Sequence, residues 1–358
     1  MKLFHKKLLS LSSSVLMVLF LGACSESANT NIDNIGPGKE RVEVEVEQFE
    51  GDHFELLQQA SEEYLKNVTI ESVLPNDVYN KFIFGSEEEF LIVDVRDVEA
   101  FAIGNIEGSV NIPYANTADA NYLQDLPKDK KLIVVCFSGH TAAQTVALWS
   151  MLGYDAVTME YGMGGWSTAD GLGAPFIKQP FDFEVVNNPV QETGSYELPT
   201  LETETVANFS ELILAQSKEY LSSGKSAVIP APTVMEKVQE EADDVFLLDI
   251  RQENHYQNGH VQTALNIPVE TLANKENLAK LPLDKQIIII GYNATDASVA
   301  NRVLNQLGYN AVAMHSGMRV WTSDTAVTGT GSIPVGSLGK LPVANLNFNL
   351  SGEAAAAG

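Results

Sequence analysis

A thiol ends the apolar run Leu132-Ile133-Val134-Val135 and opens the stretch Cys136-Phe137-Ser138-Gly139-His140-Thr141. Four apolar, mostly β-branched residues predict a buried strand, because the run is too short for a helix. Ala142 to Leu152 then predicts a helix. Cys136 therefore falls between a strand end and a helix N-terminus, where backbone N–H groups and the helix dipole favour an anion. Such a setting favours the thiolate, the reactive form of the side chain. The competing reading is a structural cysteine that packs as a small hydrophobe.

The elements that must hold this loop occur twice. Leu91-Ile92-Val93-Asp94-Val95-Arg96 returns as Phe246-Leu247-Leu248-Asp249-Ile250-Arg251, and Asn111-Ile112-Pro113 as Asn266-Ile267-Pro268. Leu126-Pro127, Leu152-Gly153-Tyr154, Gly162-Met163 and Trp166 return as Leu281-Pro282, Leu307-Gly308-Tyr309, Gly317-Met318 and Trp321. Asp249 follows Asp94 by 155 residues and Trp321 follows Trp166 by the same 155, so the register holds. A period this long means two duplicated domains rather than a solenoid. In the first copy, strands are predicted near Leu91–Val95, Ser109–Ile112, Leu132–Val135 and Ala156–Met159. Helices are predicted over Phe54–Asn67, Pro75–Phe82 and Val98–Ile103, besides the one after the thiol. Alternating strand and helix predicts an α/β fold, each copy a mostly parallel sheet covered on both faces.

Together these residues resemble the rhodanese (sulfurtransferase) family, as a tandem pair. The marks are Asp94-Val95-Arg96, Gly108-Ser109-Val110-Asn111-Ile112-Pro113, the Cys136 loop, Leu152-Gly153-Tyr154 and Gly162-Met163-Gly164-Gly165-Trp166. The resemblance implies three-layer α/β domains with central parallel sheets. It implies a catalytic Cys136 at the head of a six-residue loop, with Phe137, Ser138, Gly139, His140 and Thr141 binding substrate. The loop matches the family's Cys-x-x-Gly-x-Thr form, and convergent backbone N–H groups would stabilise a thiolate or persulfide. The chemistry implied is ping-pong transfer of sulfane sulfur through a Cys136 persulfide, with no cofactor and no metal. The partners implied are a small sulfur donor and a thiol or cyanide-like acceptor.

The second copy departs from this pattern. Gly291 stands where Cys136 does, and the loop Gly291-Tyr292-Asn293-Ala294-Thr295-Asp296 adds a carboxylate where an anion would bind. That copy is expected to be catalytically silent. Family tandems usually carry the active cysteine in the second domain, so the order here is reversed. Thiosulfate-preferring members often carry Arg or Lys beside the cysteine, whereas Phe137 and Ser138 are neutral, closer to mercaptopyruvate- or persulfide-using members. His140 is expected either to supply positive charge when protonated or to face solvent.

Asp94 and Arg96, at a strand end, are supporting residues: a structural pair is favoured over substrate contact, because Asp249 and Arg251 persist in the silent copy. Trp166 and Trp321 read as anchors. His260 and His315 lack metal-ligand spacing with other His or Cys residues, and His255 and His260, five apart in the thiol-less copy, read as structural. A second class of function is a non-enzymatic sulfur carrier or interaction module, with a protein acceptor docking on the silent copy. A third, a phosphatase or arsenate reductase, would need Cys-x5-Arg, and position 142 is Ala.

The remaining sequence bears on location. Residues 1–23 carry Lys2, Lys6 and Lys7 before an apolar stretch too short and serine-broken for a comfortable membrane span, so they read as a signal peptide. Leu21-Gly22-Ala23-Cys24 resembles the bacterial lipobox, which implies cleavage before Cys24 and a diacylglyceryl group, carrying palmitate-type chains, on its sulfur. The protein would then sit in the cell envelope on the extracytoplasmic side, held by lipid alone, at the outer membrane where two membranes exist. Of the two cysteines only Cys136 would remain a free thiol. The formal charge of −25 becomes −28 without the three signal lysines, which argues against nucleic acid as a partner. The organisation expected is a tether over 24–52, a cysteine-bearing domain over 53–177, an acidic linker over 178–208, a silent domain over 209–326 and an irregular tail over 327–358.

Overall fold

The computed structural model describes residues 52–85, 89–173, 179–188, 190, 194–201, 206–329 and 338–344. All of them belong to one compact unit, Glu47–Gly358. The signal segment, Cys24 and the tether up to residue 51 lie outside the described residues, as does the tail beyond residue 344. Among the described residues no helix is long and apolar enough to cross a membrane.

The first domain contains α1 (His53–Asn67), β1 (Ser72–Val73), α2 (Pro75–Asp77), β2 (Phe90–Asp94), α3 (Val98–Ile103) and β3 (Val110–Asn111). It continues with α4 (Ala120–Leu123), β4 (Lys131–Val135), α5 (His140–Met151), β5 (Ala156–Met159) and α6 (Gly162–Trp166). The second contains α7 (Phe209–Ser222), β6 (Val228–Ile229), α8 (Ala231–Gln239), β7 (Val245–Asp249), α9 (Glu253–Asn258) and β8 (Leu265–Asn266). After it come α10 (Lys275–Leu278), β9 (Gln286–Ile290), α11 (Ala294–Gln306), β10 (Ala311–Met314), α12 (Met318–Trp321) and α13 (Thr325–Thr328). Each domain has a five-stranded parallel sheet, ordered β1-β5-β4-β2-β3 and β6-β10-β9-β7-β8. The two-residue strands β1 and β6 escape a periodicity reading, and α6 escapes because Gly162, Gly164 and Gly165 have poor helix propensity. The helix expected over Pro75–Phe82 is α2 followed by a wider, π-type turn over Val78–Ile83.

Alternation along the central strands builds the layers. Leu132 and Val134 face one side of the first sheet, Ile133 and Val135 the other. Ile287 and Ile289, against Ile288 and Ile290, do the same in the second. The first face of each sheet feeds a single core continuous across both domains, in which Trp149 and Leu304 share one cluster.

The copies embrace through equivalent elements. Helix α5 packs on α11, and every residue of α11 is buried. Helix α1 packs on the second domain's 3₁₀ turn Val269–Thr271, and α7 on the first domain's equivalent turn Tyr114–Asn116. Residues 178–208, expected as a linker, lie along the second domain where they are described. Phe181 and Phe183 donate to Val320 O and Trp321 O, and Val186 bridges His260. The chain after the second domain repeats this on the first: Gly339 and Leu341 donate to Gly165 O and Trp166 O, and Ala344 bridges Asn105. The two arms are exchanged.

Candidate active site

Strand β4 is buried on both faces and delivers Cys136 at its C-terminal end, where the side chain is 1% exposed. Helix α5 begins at His140, two residues earlier than expected, so His140 and Thr141 form its first turn. Gly139 caps the helix at φ +100, a left-handed conformation that a side chain disfavours. This turn aims the Gly139 N–H at Cys136 Sγ, 3.1 Å away.

The segment after β5 clamps the loop. Met163 N–H donates to Cys136 O at 2.7 Å and Gly164 N–H to Phe137 O at 3.0 Å. A Cβ on Gly162 would meet Cys136 O at 2.3 Å and Ser138 N at 2.7 Å, so the close approach requires glycine. Phe137 and Ser138 are half-buried, and the Arg96 guanidinium lies 5.8 Å from the Phe137 ring centroid.

Asp94 and Arg96 form a buried pair, Nη2 to Oδ2 at 2.5 Å. Arg96 also donates to Leu172 O and Gly104 O, each at 2.8 Å. Asp249 and Arg251 repeat the arrangement with Val327 O and Gly259 O. Each guanidinium ties a strand end to two later segments of the chain, which is a structural task.

His140 does not face solvent. Its imidazole is buried between the domains, where Nε2 accepts the Ser316 N–H at 3.2 Å. Nδ1 therefore carries the proton and donates to Ser298 Oγ at 2.8 Å. Burial, with His315 at 4.8 Å between ring centroids, holds the His140 pKa well below its ordinary 6.5. The ring is neutral and supplies no positive charge.

Several neighbours of the site come from residues that local patterns did not single out. Tyr114 OH donates to Gln144 Oε1 and accepts from Arg302 Nη2 at 3.2 Å, while Arg302 Nε donates to Gln144 O. Burial raises the Tyr114 pKa, and the Arg302 charge opposes the rise. Arg319 crosses from the second domain to Glu160 Oε1 at 2.6 Å and to the Tyr161 hydroxyl. The only sequence hint was position: Tyr114 follows the Asn111-Ile112-Pro113 mark, and Tyr161 precedes Gly162.

In the second domain the carboxylate anticipated at Asp296 lies inside the loop. It accepts N–H groups from Tyr292 at 2.6 Å, Asn293 at 3.1 Å and Ala297 at 2.8 Å. Burial raises its pKa above the ordinary 3.8, and these N–H groups oppose the rise.

Comparison with known proteins identifies the family. The Rhodanese family model, a rhodanese-like domain, matches residues 77–169 and 232–324, together more than half of the chain. The chain is similar to the thiosulfate sulfurtransferase GlpE of Pseudomonas aeruginosa, 34% identical over 76 residues, which is 21% of this chain and 67% of that protein. It is also similar to the HTH-type transcriptional regulator Rv0324 of Mycobacterium tuberculosis, 30% identical over 111 residues, covering 30% of this chain and 47% of that one. A crystal structure of a rhodanese-like domain protein from Staphylococcus aureus is 30% identical, covering 27% of this chain and 91% of its own, with a TM-score of 0.25.

Proposed function

The chain belongs to the rhodanese-like family, twice over, and on that premise we propose that it is a sulfurtransferase working through a Cys136 persulfide. The observation that carries the reading is the Gly139 N–H on Cys136 Sγ at the mouth of α5, which is a cradle for a sulfur anion. The Cys136 thiolate attacks the outer sulfur of a small donor: thiosulfate, mercaptopyruvate or a polysulfide or persulfide. The donor's bond to that sulfur breaks, its electron pair leaving with the remainder of the donor, and Cys136 keeps the sulfur as a persulfide. A thiol or cyanide-like acceptor then attacks the outer sulfur and regenerates the thiolate. The neutral Phe137 and Ser138 and the uncharged His140 leave no cation beside the sulfur on the loop itself, which favours donors other than a dianion.

The proposal extends to location: lipid on Cys24 would hold this activity at the extracytoplasmic face of a membrane. Cys24→Ala should release the protein from the membrane fraction, and retention there would sink the anchor.

The test of activity uses the compact unit Glu47–Gly358 with each donor separately, reading intact mass and then thiocyanate after cyanide is added. Gain of one sulfur that disappears in Cys136→Ser, followed by repeated turnover, is the expected result. Loading without turnover would instead support a carrier that hands sulfur to a protein acceptor. No loading from any donor would overturn sulfur transfer.

A further inference from the structure

We propose that the second domain keeps a cradle of backbone N–H groups, closed by its own Asp296 carboxylate, and so is a latent site for sulfane-sulfur donors. The proposal rests on the sulfur-transfer reading of Cys136.

The second loop is held in the same frame as the first, although Ala294, the first residue of α11, stands in place of the left-handed Gly139. Met318 N–H donates to Gly291 O and Arg319 N–H to Tyr292 O, as Met163 and Gly164 do to Cys136 and Phe137. A Cβ on Gly317 would meet Gly291 O at 2.5 Å and Asn293 N at 2.7 Å, matching the close approach of Gly162 to the first loop. Tyr161 and its counterpart Ser316 both hold left-handed backbone, at φ 64 and φ 60. Loss of the thiol did not collapse the loop.

What fills the second cradle is a carboxylate. A Cβ on Gly291 would meet Asp296 Oδ1 at 2.5 Å, Cγ at 2.7 Å and Oδ2 at 2.7 Å. The side chain of Asp296 thus takes the volume into which a side chain at 291 would point, and in the first domain that position bears the sulfur. An ordinary helix cap accounts for part of this, since Asn293 and Asp296 form a capping box at the start of α11. A capping box explains the Asn293 N–H but not the Tyr292 N–H, nor the occupancy of the space beside Gly291. Gly291 and Asp296 are therefore two halves of one exchange. As placed, the carboxylate leaves no room for a Cβ at position 291, so a side chain there requires Asp296 to turn away or to be replaced.

In a reopened site, the thiolate introduced by Gly291→Cys attacks the outer sulfur of thiosulfate. The donor's S–S bond breaks, its electron pair leaves with sulfite, and the transferred sulfur remains as a persulfide held by the N–H groups that now bind Asp296.

The experiment uses the full chain carrying Cys24→Ser and Cys136→Ser, so that any introduced thiol stands alone. Gly291→Cys is added by itself, with Asp296→Thr, and with Asp296→Ser as a second replacement should the first fold poorly. After thiosulfate, intact mass is expected to gain one sulfur only when Asp296 is replaced. Independently of any donor, iodoacetamide at mildly acidic pH should alkylate the introduced thiol about tenfold faster once the carboxylate is gone. Equal loading or equal alkylation with Asp296 present would overturn the proposal, as would folded double variants that neither load nor alkylate faster. The unsubstituted chain, run beside them, reports separately on Cys136. If Cys136 takes no sulfur from thiosulfate, mercaptopyruvate or polysulfide supplied separately, the sulfur-transfer reading fails, and the alkylation comparison still decides whether Asp296 closes the cradle.

Discussion

Asp94 and Asp249 occupy equivalent strand ends, 1% and 0% exposed, and each holds an arginine that is itself fully buried. Removing one carboxylate charge strands a guanidinium away from water, which costs about 3–5 kcal/mol. Asp94→Asn and Asp249→Asn should therefore lose similar stability, measured by urea denaturation of the whole chain. A loss confined to Asp94→Asn, or a loss of sulfur loading without a loss of stability, would instead place Asp94 in the chemistry. The Cys136 loop was readable at this scale because its demands are local: a strand end, a thiol, a glycine at positive φ and a helix start. The tasks of His140 and Tyr114 were not readable. Their partners Ser298, Ser316 and Arg302 stand 158 to 188 residues away, and no spacing within the loop encodes them.

At the scale of elements, the strands and long helices followed from periodicity, while the glycine-rich α6 did not. Two of its glycines are explained by close approach: Gly162 lets the Cys136 loop come near, and a Cβ on Gly165 would meet the Tyr161 Cβ at 2.6 Å and Pro75 Cγ at 3.1 Å. The exchanged arms were equally illegible, because a proline- and carboxylate-rich segment, like a glycine-rich tail, has the composition of a linker whether it swings or lies against a neighbour. The arm Leu338–Ala344 takes the Trp166 Nε1–H on Pro342 O at 2.7 Å and packs Leu341 and Val343 on the first domain's outer core. Ending the chain before Leu338 should cost about 3 kcal/mol from the uncovered apolar surface and the orphaned indole N–H. Trp166 fluorescence should shift to the red as water reaches the ring. An unshifted spectrum and unchanged stability would show that the arm contributes nothing to the domain it covers.

For the whole molecule, the interface between the copies depends on pH through the His140–His315 pair. Both pKa values lie below the ordinary 6.5, chiefly through burial. The unfolded chain therefore takes up protons first as pH falls past 6.5, so the stability these groups contribute is present above that value and lost below it. Asp296 acts with the opposite sign: its raised pKa gives stability that is present below 3.8 and lost as pH rises through the folded value, so it offsets the histidines only in acid. The melting temperature should fall between neutrality and about pH 5, and His140→Asn with His315→Gln should flatten that slope. An unchanged slope would remove the pair from the account.

Reciprocal exchange also predicts how the chain unfolds. Helix α5 is buried nearly all round because α11 covers the side its own sheet leaves bare, and α1, α7 and both arms cover the opposite domain. A half-chain of residues 47–177 would lack α7, α11 and the Leu338–Ala344 arm, leaving bare the side of α5 that α11 covers and taking the Pro342 acceptor from the Trp166 indole N–H. That helix would lose the second-domain partners of His140 and Gln144 together with the cover over its apolar residues. The half-chain is thus expected to remain unfolded or to aggregate by itself, and to recover native circular dichroism when mixed with residues 178–358. The intact chain should melt in one transition, with tryptophan fluorescence and circular dichroism coincident, because neither domain can open without exposing the other's covered face. Two separated transitions, or a half-chain that folds and loads sulfur alone, would mean that the domains are independent and that the second is not required to shape the Cys136 site.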